Sequence, residues 1–294
     1  MTKNTGFVDR CLEVSRSYFR GLGQIMLQES AVTGVLFLAG IFVNSRLMGI
    51  GALAGASASF LTALILRYPP TEVSRGWYGF NGALVGTALL CFNAPGVMTF
   101  VLVVAGGAFS TVLMHLMPAW TGRLPPYTAP FILATWLMQG IAHGVGLTAG
   151  TAATSVAYED GVVAIALGVG QVMFQEYWVS GILFVIGIGV CSRQAAAWAV
   201  MGSALAVTTA EALGYPPDLI RAGIYGFNAS LVAIALAGRC RDNVVAVLAG
   251  IVLSVVMTRG FQFTPVPALT APFVLSTWLV IGAAEFRQAR RDCR

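Results

Sequence analysis

Hydrophobic residues gather in ten long blocks, separated by short stretches rich in glycine, proline, arginine or glutamine. A membrane-spanning helix needs about 20 apolar residues. Several blocks hold only 12–15 residues, so we expect some tilted spans, preceded by half-helices that enter the membrane without crossing it. The blocks lie near 30–44, 47–66, 80–94, 97–117 and 128–145, and then near 177–191, 194–212, 227–238, 243–258 and 270–284.

The second half of the chain repeats the first. Residues 23–46 and 170–193 align without a gap at an offset of 147, and 14 of the 24 positions are identical. The tetrapeptide Tyr-Gly-Phe-Asn at 78–81 recurs at 225–228, and Thr-Ala-Pro-Phe at 128–131 recurs at 270–273 with the offset reduced to 142. The protein is therefore two copies of one unit, and we expect its function where the copies meet.

Composition indicates that lipid surrounds the protein. Hydrophobic residues make up 57% of the chain and charged residues 10%, with a mean hydropathy of +0.80, whereas a soluble domain carries about 25% charge. The five cysteines are scattered, so neither a disulfide framework nor a metal site is expected. No catalytic or nucleotide-binding motif occurs in a credible context, and no basic run suggests nucleic acid. We therefore expect neither an enzyme nor a cofactor.

The basic residues set the expected orientation. If each half spans the membrane five times and the N-terminus is cytoplasmic, all 17 Lys and Arg residues except Arg46, Arg221 and Arg259 fall on the cytoplasmic side, as the positive-inside rule requires. An odd number of spans gives the halves opposite orientations. The prediction is an all-α polytopic membrane protein of two inverted-topology repeats, with re-entrant half-helices lining a central pore and both termini cytoplasmic.

The predicted domain boundaries follow the repeat. The candidates for re-entrant half-helices are the stretches 21–29, 69–79 and 121–130 and their partners in the second half. The domains are an amphipathic N-terminal segment (1–22), the first repeat (23–145), an extracytoplasmic linker (146–169), the second repeat (170–286) and a basic C-terminal tail (287–294).

The repeated motifs supply a set of candidate pore-lining residues. Each half offers a glutamine, an apolar residue three positions later, a phenylalanine with a leucine four positions on, and a threonine before a proline. Flat apolar walls edged with neutral oxygens suit a small, planar, uncharged solute rich in N–H donors, whereas an ion would lose its hydration without replacement. The candidates are Gln24, Leu27, Phe80, Leu84, Thr128, Gln171, Phe174, Phe227, Leu231 and Thr270.

Two further pairs have structural and functional interpretations. Asn81 and Asn228 are interpreted as structural, tying loop backbone through their amides. Glu29 and Glu176 each precede an apolar helix, where a carboxylate favours the helix dipole. Because acids near membrane helices are often functional, a role for the two glutamates at the pore entrance is the alternative.

The paired motifs resemble those of the urea transporters, bacterial and vertebrate, over nearly the whole chain. The resemblance is carried by Gly-Gln-x-Met at 23–26 and 170–173, by Gly-[Trp/Ile]-Tyr-Gly-Phe-Asn at 76–81 and 223–228, and by Leu-Pro-Pro-Tyr-Thr-Ala-Pro-Phe at 124–131. It implies a homotrimer of independent pores in the cytoplasmic (inner) membrane that conduct urea passively through three linked sites. It also implies glutamines at the end sites, threonines at the central constriction, and Phe and Leu faces as slot walls.

Other functions stay open at this point. An ion- or proton-coupled transporter of another small amide or neutral solute would need an acid in the middle of the membrane, for which Glu29 and Glu176 are the candidates. A non-conducting scaffold is a third hypothesis. Within the channel hypothesis, formamide, acetamide or ammonia are alternative solutes.

Overall fold

The computed structural model describes residues 3–150, 161–239 and 243–292, and its regular elements in these ranges are helices. The first half contains α1 Lys3–Gly23, α2 Ala31–Asn44, α3 Arg46–Ile65, α4 Pro70–Ser74, α5 Phe80–Phe92, α6 Val97–Thr121 and α7 Ala129–Gly144. The second half contains α8 Gly161–Gly170, α9 Trp178–Cys191, α10 Arg193–Ala212, α11 Pro217–Arg221, α12 Gly226–Arg239, α13 Val244–Phe261 and α14 Ala271–Asp292.

Each of the ten predicted apolar blocks is a helix. Among the described residues, three helices, α3, α6 and α13, are long and apolar enough to cross a membrane alone. In two further places a break of a few residues bends the chain sharply, by 69° before α2 and by 76° before α9. Each break follows one turn of 3-10 helix, Gln24–Met26 or Gln171–Met173. These bent pairs have the shape expected of re-entrant segments.

Serine residues set the junctions where one helix ends and the next begins at once. The side chain of Ser45 accepts the N–H of Met48 at the start of α3, and that of Ser192 accepts the N–H of Ala195 at the start of α10. A serine at this position satisfies one of the free N–H groups of a helix start. The repeated Ser-Arg pair at 45–46 and 192–193 is therefore a helix stop and restart.

The region predicted as an extracytoplasmic linker contains a helix. Within residues 146–169 the structure places most of α8, which packs against α9, α10 and α12. At the offset of 147, α8 corresponds to residues 14–23, the second half of α1. The repeated unit therefore includes this helix in both halves. Two acidic residues of the predicted linker, Glu159 and Asp160, lie outside the described residues.

Crossed contacts between α2 and α9 show how these two repeat-related helices are arranged. The hydroxyl of Thr33 donates to the carbonyl of Gly187, and the hydroxyl of Ser180 donates to the carbonyl of Gly40, each at 2.7 Å. Thr33 and Ser180 are repeat partners, as are Gly40 and Gly187. Since the start of each helix contacts the end of the other, the two helices run antiparallel about a local two-fold axis.

Two phenylalanines meet on this axis. Phe37 and its repeat partner Phe184 are fully buried and pack edge to face, with ring centroids 5.4 Å apart. Glycine makes room for them, because a Cβ at Gly40 would lie 2.5 Å from the Phe184 ring. The outer surface carries large apolar side chains such as Val97 (85% exposed) and Ile65 (75% exposed), which is typical of a lipid-facing surface.

Helices α3 and α5 pack closely, because four glycines bring the two backbones together. A Cβ at Gly86 would lie 1.9 Å from the Gly51 carbonyl oxygen, and one at Gly55 would lie 2.0 Å from the Gly82 carbonyl oxygen. Small residues at such crossings are a common basis of helix association in membranes. The contact fixes α5, which carries Phe80 and Asn81.

The α3–α5 crossing predicts a large effect of one methyl group. Gly86→Ala should lower the stability by about 1–3 kcal/mol, because the added carbon must displace backbone. The matched control is Gly140→Ala in α7, where an added Cβ meets nothing within 4 Å and alanine should be neutral or stabilising by up to about 1 kcal/mol. Thermal unfolding in detergent compares them, and equal midpoints would contradict the prediction.

Candidate solute pathway

A cavity of about 460–480 Å³ lies in each half of the protein. The first cavity has a volume of about 480 Å³ and contains three of the predicted pore residues. Its lining is Gln24, Leu27, Glu72, Trp77, Tyr78, Phe80, Met114, His115, Pro118, Gly122, Arg123, Leu124, Pro125, Pro126 and Tyr127.

The second cavity is built largely from the repeat partners of the first and has a volume of about 460 Å³. Gln171, Phe174 and Phe227 take the places of Gln24, Leu27 and Phe80. Its lining is Cys91, Phe92, Gln171, Phe174, Glu176, Ile224, Phe227, Phe261, Gln262, Thr264, Pro265, Val266, Pro267, Ala268 and Leu269.

Two threonines, one from each half, touch each other. The Oγ1 atoms of Thr128 and Thr270 are 2.7 Å apart, a hydrogen bond in which either can be the donor. The residues are 3% and 2% exposed. Tyr127, the neighbour of Thr128, lines the first cavity, and Leu269, the neighbour of Thr270, lines the second. The threonine pair lines neither cavity itself but lies beside one residue of each lining.

The two glutamines are held in the same way. The Nε2 group of Gln24 donates to the carbonyl of Arg75 at 3.0 Å, and that of Gln171 donates to the carbonyl of Ala222 at 3.2 Å. Arg75 and Ala222 are themselves repeat partners. Because the NH₂ end of each amide is engaged by backbone, the Oε1 end is the one left to accept a hydrogen bond from a solute.

Four non-glycine residues with positive φ line the two cavities. Leu27 and Phe174 follow the 3-10 turns with φ of 62° and 60°, and Tyr127 and Leu269 precede the threonines with φ of 46° each. A non-glycine residue in this conformation costs of order 1–3 kcal/mol and persists only where the surroundings hold it. No local sequence pattern indicates this conformation. Tyr127 and Leu269 are cavity-lining residues that the sequence did not predict.

Two asparagines hold the helix starts that carry the threonines. The Oδ1 of Asn81 accepts the N–H of Phe131 in α7, and the Oδ1 of Asn228 accepts the N–H of Phe273 in α14, both at 3.2 Å. A helix start has free N–H groups that need partners when buried. The structural interpretation of the Asn81 and Asn228 pair agrees with this geometry.

Two tryptophans form hydrogen bonds between the two halves. The Nε1–H of Trp136 donates to the carbonyl of Pro267 at 2.9 Å, and that of Trp278 donates to the carbonyl of Pro125 at 2.7 Å. Both bonds join one half to the other. The sequence feature that indicates this pair is the recurrence of Thr-Trp-Leu at 135–137 and 277–279.

The predicted wall residues divide into two groups. Phe80 and Phe227 face the cavities, together with Leu27 and Phe174. The structure does not bring Leu84 and Leu231 into either cavity wall, since both are fully buried one turn further along α5 and α12.

The paired acids have different surroundings. Glu29 makes an ion pair with Arg75, with an Oε2–Nε distance of 3.1 Å and more than 40% of each side chain exposed. Its partner Glu176 lines the second cavity, and alanine replaces the arginine at position 222. Both halves therefore keep a glutamate just before the apolar helix. Among the described residues, only the glutamate of the first half pairs with an arginine at this position.

The cavity mouths also differ in their polar groups. At the first cavity, Tyr78 donates to the carboxylate of Glu72 and lies 3.1 Å from Nδ1 of His115. At the second, Tyr225 donates to Gln262, the repeat partner of His115, and the guanidinium of Arg259 donates to the same oxygen at 2.6 Å. His115 of the first cavity thus contacts a tyrosine that also pairs with a carboxylate, whereas its repeat partner Gln262 accepts from a tyrosine and an arginine.

The helical fold with its two internally related halves is that of a polytopic membrane protein, a class that includes solute transporters. The sequence profile of one family, described as Urea transporter, matches residues 15–285. Because this match covers most of the chain, the protein belongs to the urea transporter family, and the resemblance seen in the sequence motifs is confirmed.

Individual relatives give the same result. The chain is 26% identical to urea transporter 1 of sheep (Ovis aries) over 290 residues, which cover 89% of this chain and 75% of the relative. It is 26% identical to urea transporter 1 of rat (Rattus norvegicus) over 289 residues with the same coverage. For the mouse (Mus musculus) protein of that name, the identity is 27% over 239 residues, covering 74% of this chain.

The asparagine pair predicts unequal costs of the same substitution. Asn228 makes three hydrogen bonds, since its Nδ2 also donates to Thr258 Oγ1 and the Leu269 carbonyl, whereas Nδ2 of Asn81 has no partner among the described residues. Asn228→Ala should cost about 1–3 kcal/mol because buried groups lose their partners, and Asn81→Ala should cost less. Thermal unfolding in detergent measures both, and a larger loss for Asn81→Ala would refute the assignment.

Proposed function

We propose that the protein is a passive channel-type facilitator that conducts urea along a pathway from the first cavity, past Thr128 and Thr270, to the second cavity. The observation that carries the proposal is the hydroxyl pair whose chain neighbours line two repeat-related cavities, in a chain of the urea transporter family. The relatives it matches bear the name urea transporter.

The chemistry of the lining fits urea. Urea is planar, with N–H donors along its edges and one carbonyl acceptor, and each polar group left unpaired in a dry slot costs a few kcal/mol. In this proposal, Gln24 and Gln171 accept N–H groups at the two ends, and the threonine hydroxyls serve N–H or carbonyl in the middle. Each exchange of partners nets only about 0.5–1.5 kcal/mol, so the solute is not trapped.

The walls select by shape. Phe80 and Leu27 on one side, and Phe227 and Phe174 on the other, present apolar faces to the cavities. A flat molecule can lie against such faces while its edges reach the oxygens. A hydrated ion meets neutral walls that cannot replace its water.

A coupled transporter is less well supported. Coupling would need an acid in the middle of the pathway, and the two threonine side chains that meet there in this proposal are neutral hydroxyls. Glu29 is exposed and paired with Arg75. Glu176 lines the second cavity and takes no part in the threonine contact.

The proposal includes a membrane orientation and an assembly. The antiparallel contact of α2 and α9 supports two inverted halves. The distribution of Lys and Arg supports cytoplasmic termini in the cytoplasmic membrane. The homotrimer of independent pores and the alternative solutes formamide, acetamide and ammonia rest on the resemblance to the family.

Flux in liposomes tests the function directly. Vesicles that contain only this protein should take up urea down its gradient, with the same rate whether or not a proton or sodium gradient is imposed. Stopped-flow light scattering measures the rate, and protein-free vesicles are the control. Uptake that collapses without an ion gradient would reject the channel in favour of a coupled transporter, and unchanged permeability would favour a scaffold.

Removing both central hydroxyls tests the pathway. Thr128→Val together with Thr270→Val should lower urea permeability by about tenfold or more, since a loss of about 1.4 kcal/mol is tenfold in rate. The matched control is Thr62→Val with Thr209→Val, a repeat-related pair in α3 and α10 whose sequence neighbours, unlike those of Thr128 and Thr270, line neither cavity. Wild-type flux in the Thr128/Thr270 variant would remove the central site from the pathway.

A further inference from the structure

A third cavity, of about 660 Å³, lies apart from the solute pathway. It is an open groove between α1, the end of α3 and the short helix α4, and four arginines line it. We call it the arginine groove. Its lining is Arg10, Glu13, Val14, Arg16, Ser17, Arg20, Phe60, Ala63, Leu64, Arg67, Tyr68, Pro70, Val73 and Ser74.

The charge in this groove is largely unpaired. Arg20 donates to the Ser74 carbonyl at 3.0 Å. In the part of the chain that the structure describes, the side chains of Arg10, Arg16 and Arg67 make no hydrogen bond or ion pair. Glu13 is the one acid in the lining, so the groove carries an excess of positive charge.

The floor of the groove is apolar. Phe60, Ala63 and Val73 are buried there in a small hydrophobic cluster, and the exposed side chain of Leu64 lines the same cavity. The groove therefore combines cations with apolar surface. An occupant with a negative head and an apolar body satisfies both.

The internal repeat shows that the scaffold does not need these arginines. At the offset of 147, Arg16, Arg20 and Arg67 correspond to Val163, Leu167 and Gly214. The second half builds the same helices, α8 and α10, with those uncharged residues. These three arginines are thus specific to the first half.

Arg67 holds its position at a conformational cost. Its φ is 56°, and its repeat partner Gly214 has φ of 67°. Glycine adopts this left-handed conformation freely, whereas an arginine does not. The other four non-glycine residues with positive φ in the described chain line the first and second cavities. Arg67 is the remaining residue, and it lines the arginine groove.

We propose that the arginine groove binds the phosphate headgroup of an anionic phospholipid. Guanidinium groups bind phosphate oxygens in a fork geometry with charge-assisted hydrogen bonds, and clusters of basic residues beside membrane helices recognise anionic lipids. The apolar floor receives the start of the acyl chains. The groove shares α4 with the first cavity, since Val73 and Ser74 line the groove and Glu72 lines the cavity.

Native mass spectrometry of the full-length protein in detergent tests the proposal independently of transport. Wild-type protein should retain added phosphatidylglycerol about fivefold or more over phosphatidylcholine, because the arginines favour a net negative headgroup. Arg16→Gln with Arg67→Gly should abolish this preference. The Arg67→Gly change relieves the strained turn in the way that Gly214 does, so it should not impair folding.

A charge-matched variant distinguishes a specific lipid site from general electrostatic attraction to anionic lipid. Arg46→Gln with Arg193→Gln removes the same charge from exposed repeat partners that lie outside the groove, and it should keep the preference. Equal loss in both variants would overturn the proposal, as would an unchanged preference in the groove variant. Displacement of the lipid by excess inorganic phosphate would assign a soluble-anion site instead. A changed oligomer distribution without a change in lipid retention would assign the groove to a second copy.

Discussion

The structure depends on two helices that begin inside the protein. Helices α7 and α14 start at Ala129 and Ala271, and the buried threonines just before these starts touch each other. A buried helix start leaves N–H groups without partners, which lipid cannot satisfy. Asn81 and Asn228 supply acceptors there. Once these starts are stabilised, α7 and α14 can hold the two threonine hydroxyls against each other.

Repeat-related residues from the two halves meet at several contacts. Each half supplies one fixed glutamine and one of the two touching threonines. Trp136 and Trp278 bond across the interface to the Pro267 and Pro125 carbonyls. Helices α2 and α9 contact each other in an antiparallel arrangement through the same pair of repeat positions.

The halves differ where symmetry is not required. Helix α1 carries Arg16 and Arg20 where α8 carries Val163 and Leu167. This difference in polarity makes the equivalence of the two helices hard to recognise in the sequence. The apolar stretch of α8 is too short to span a membrane, and only its packing against α9, α10 and α12 reveals its place in the repeated unit.

The sequence alone determined the helical fold, the repeat and the family, because apolar blocks and duplicated motifs are local properties of the chain. It also predicted the glutamines, the phenylalanines and the threonines as pore-lining residues, since neutral oxygens beside apolar faces restrict the chemistry of a solute. Only the tertiary structure decided that Thr128 meets Thr270, that Leu84 and Leu231 are fully buried one turn beyond the phenylalanines, and that Tyr127 and Leu269 turn with positive φ. Those facts depend on contacts between residues more than 40 positions apart and on strain that the surrounding packing sustains. Neither can be inferred from the local sequence.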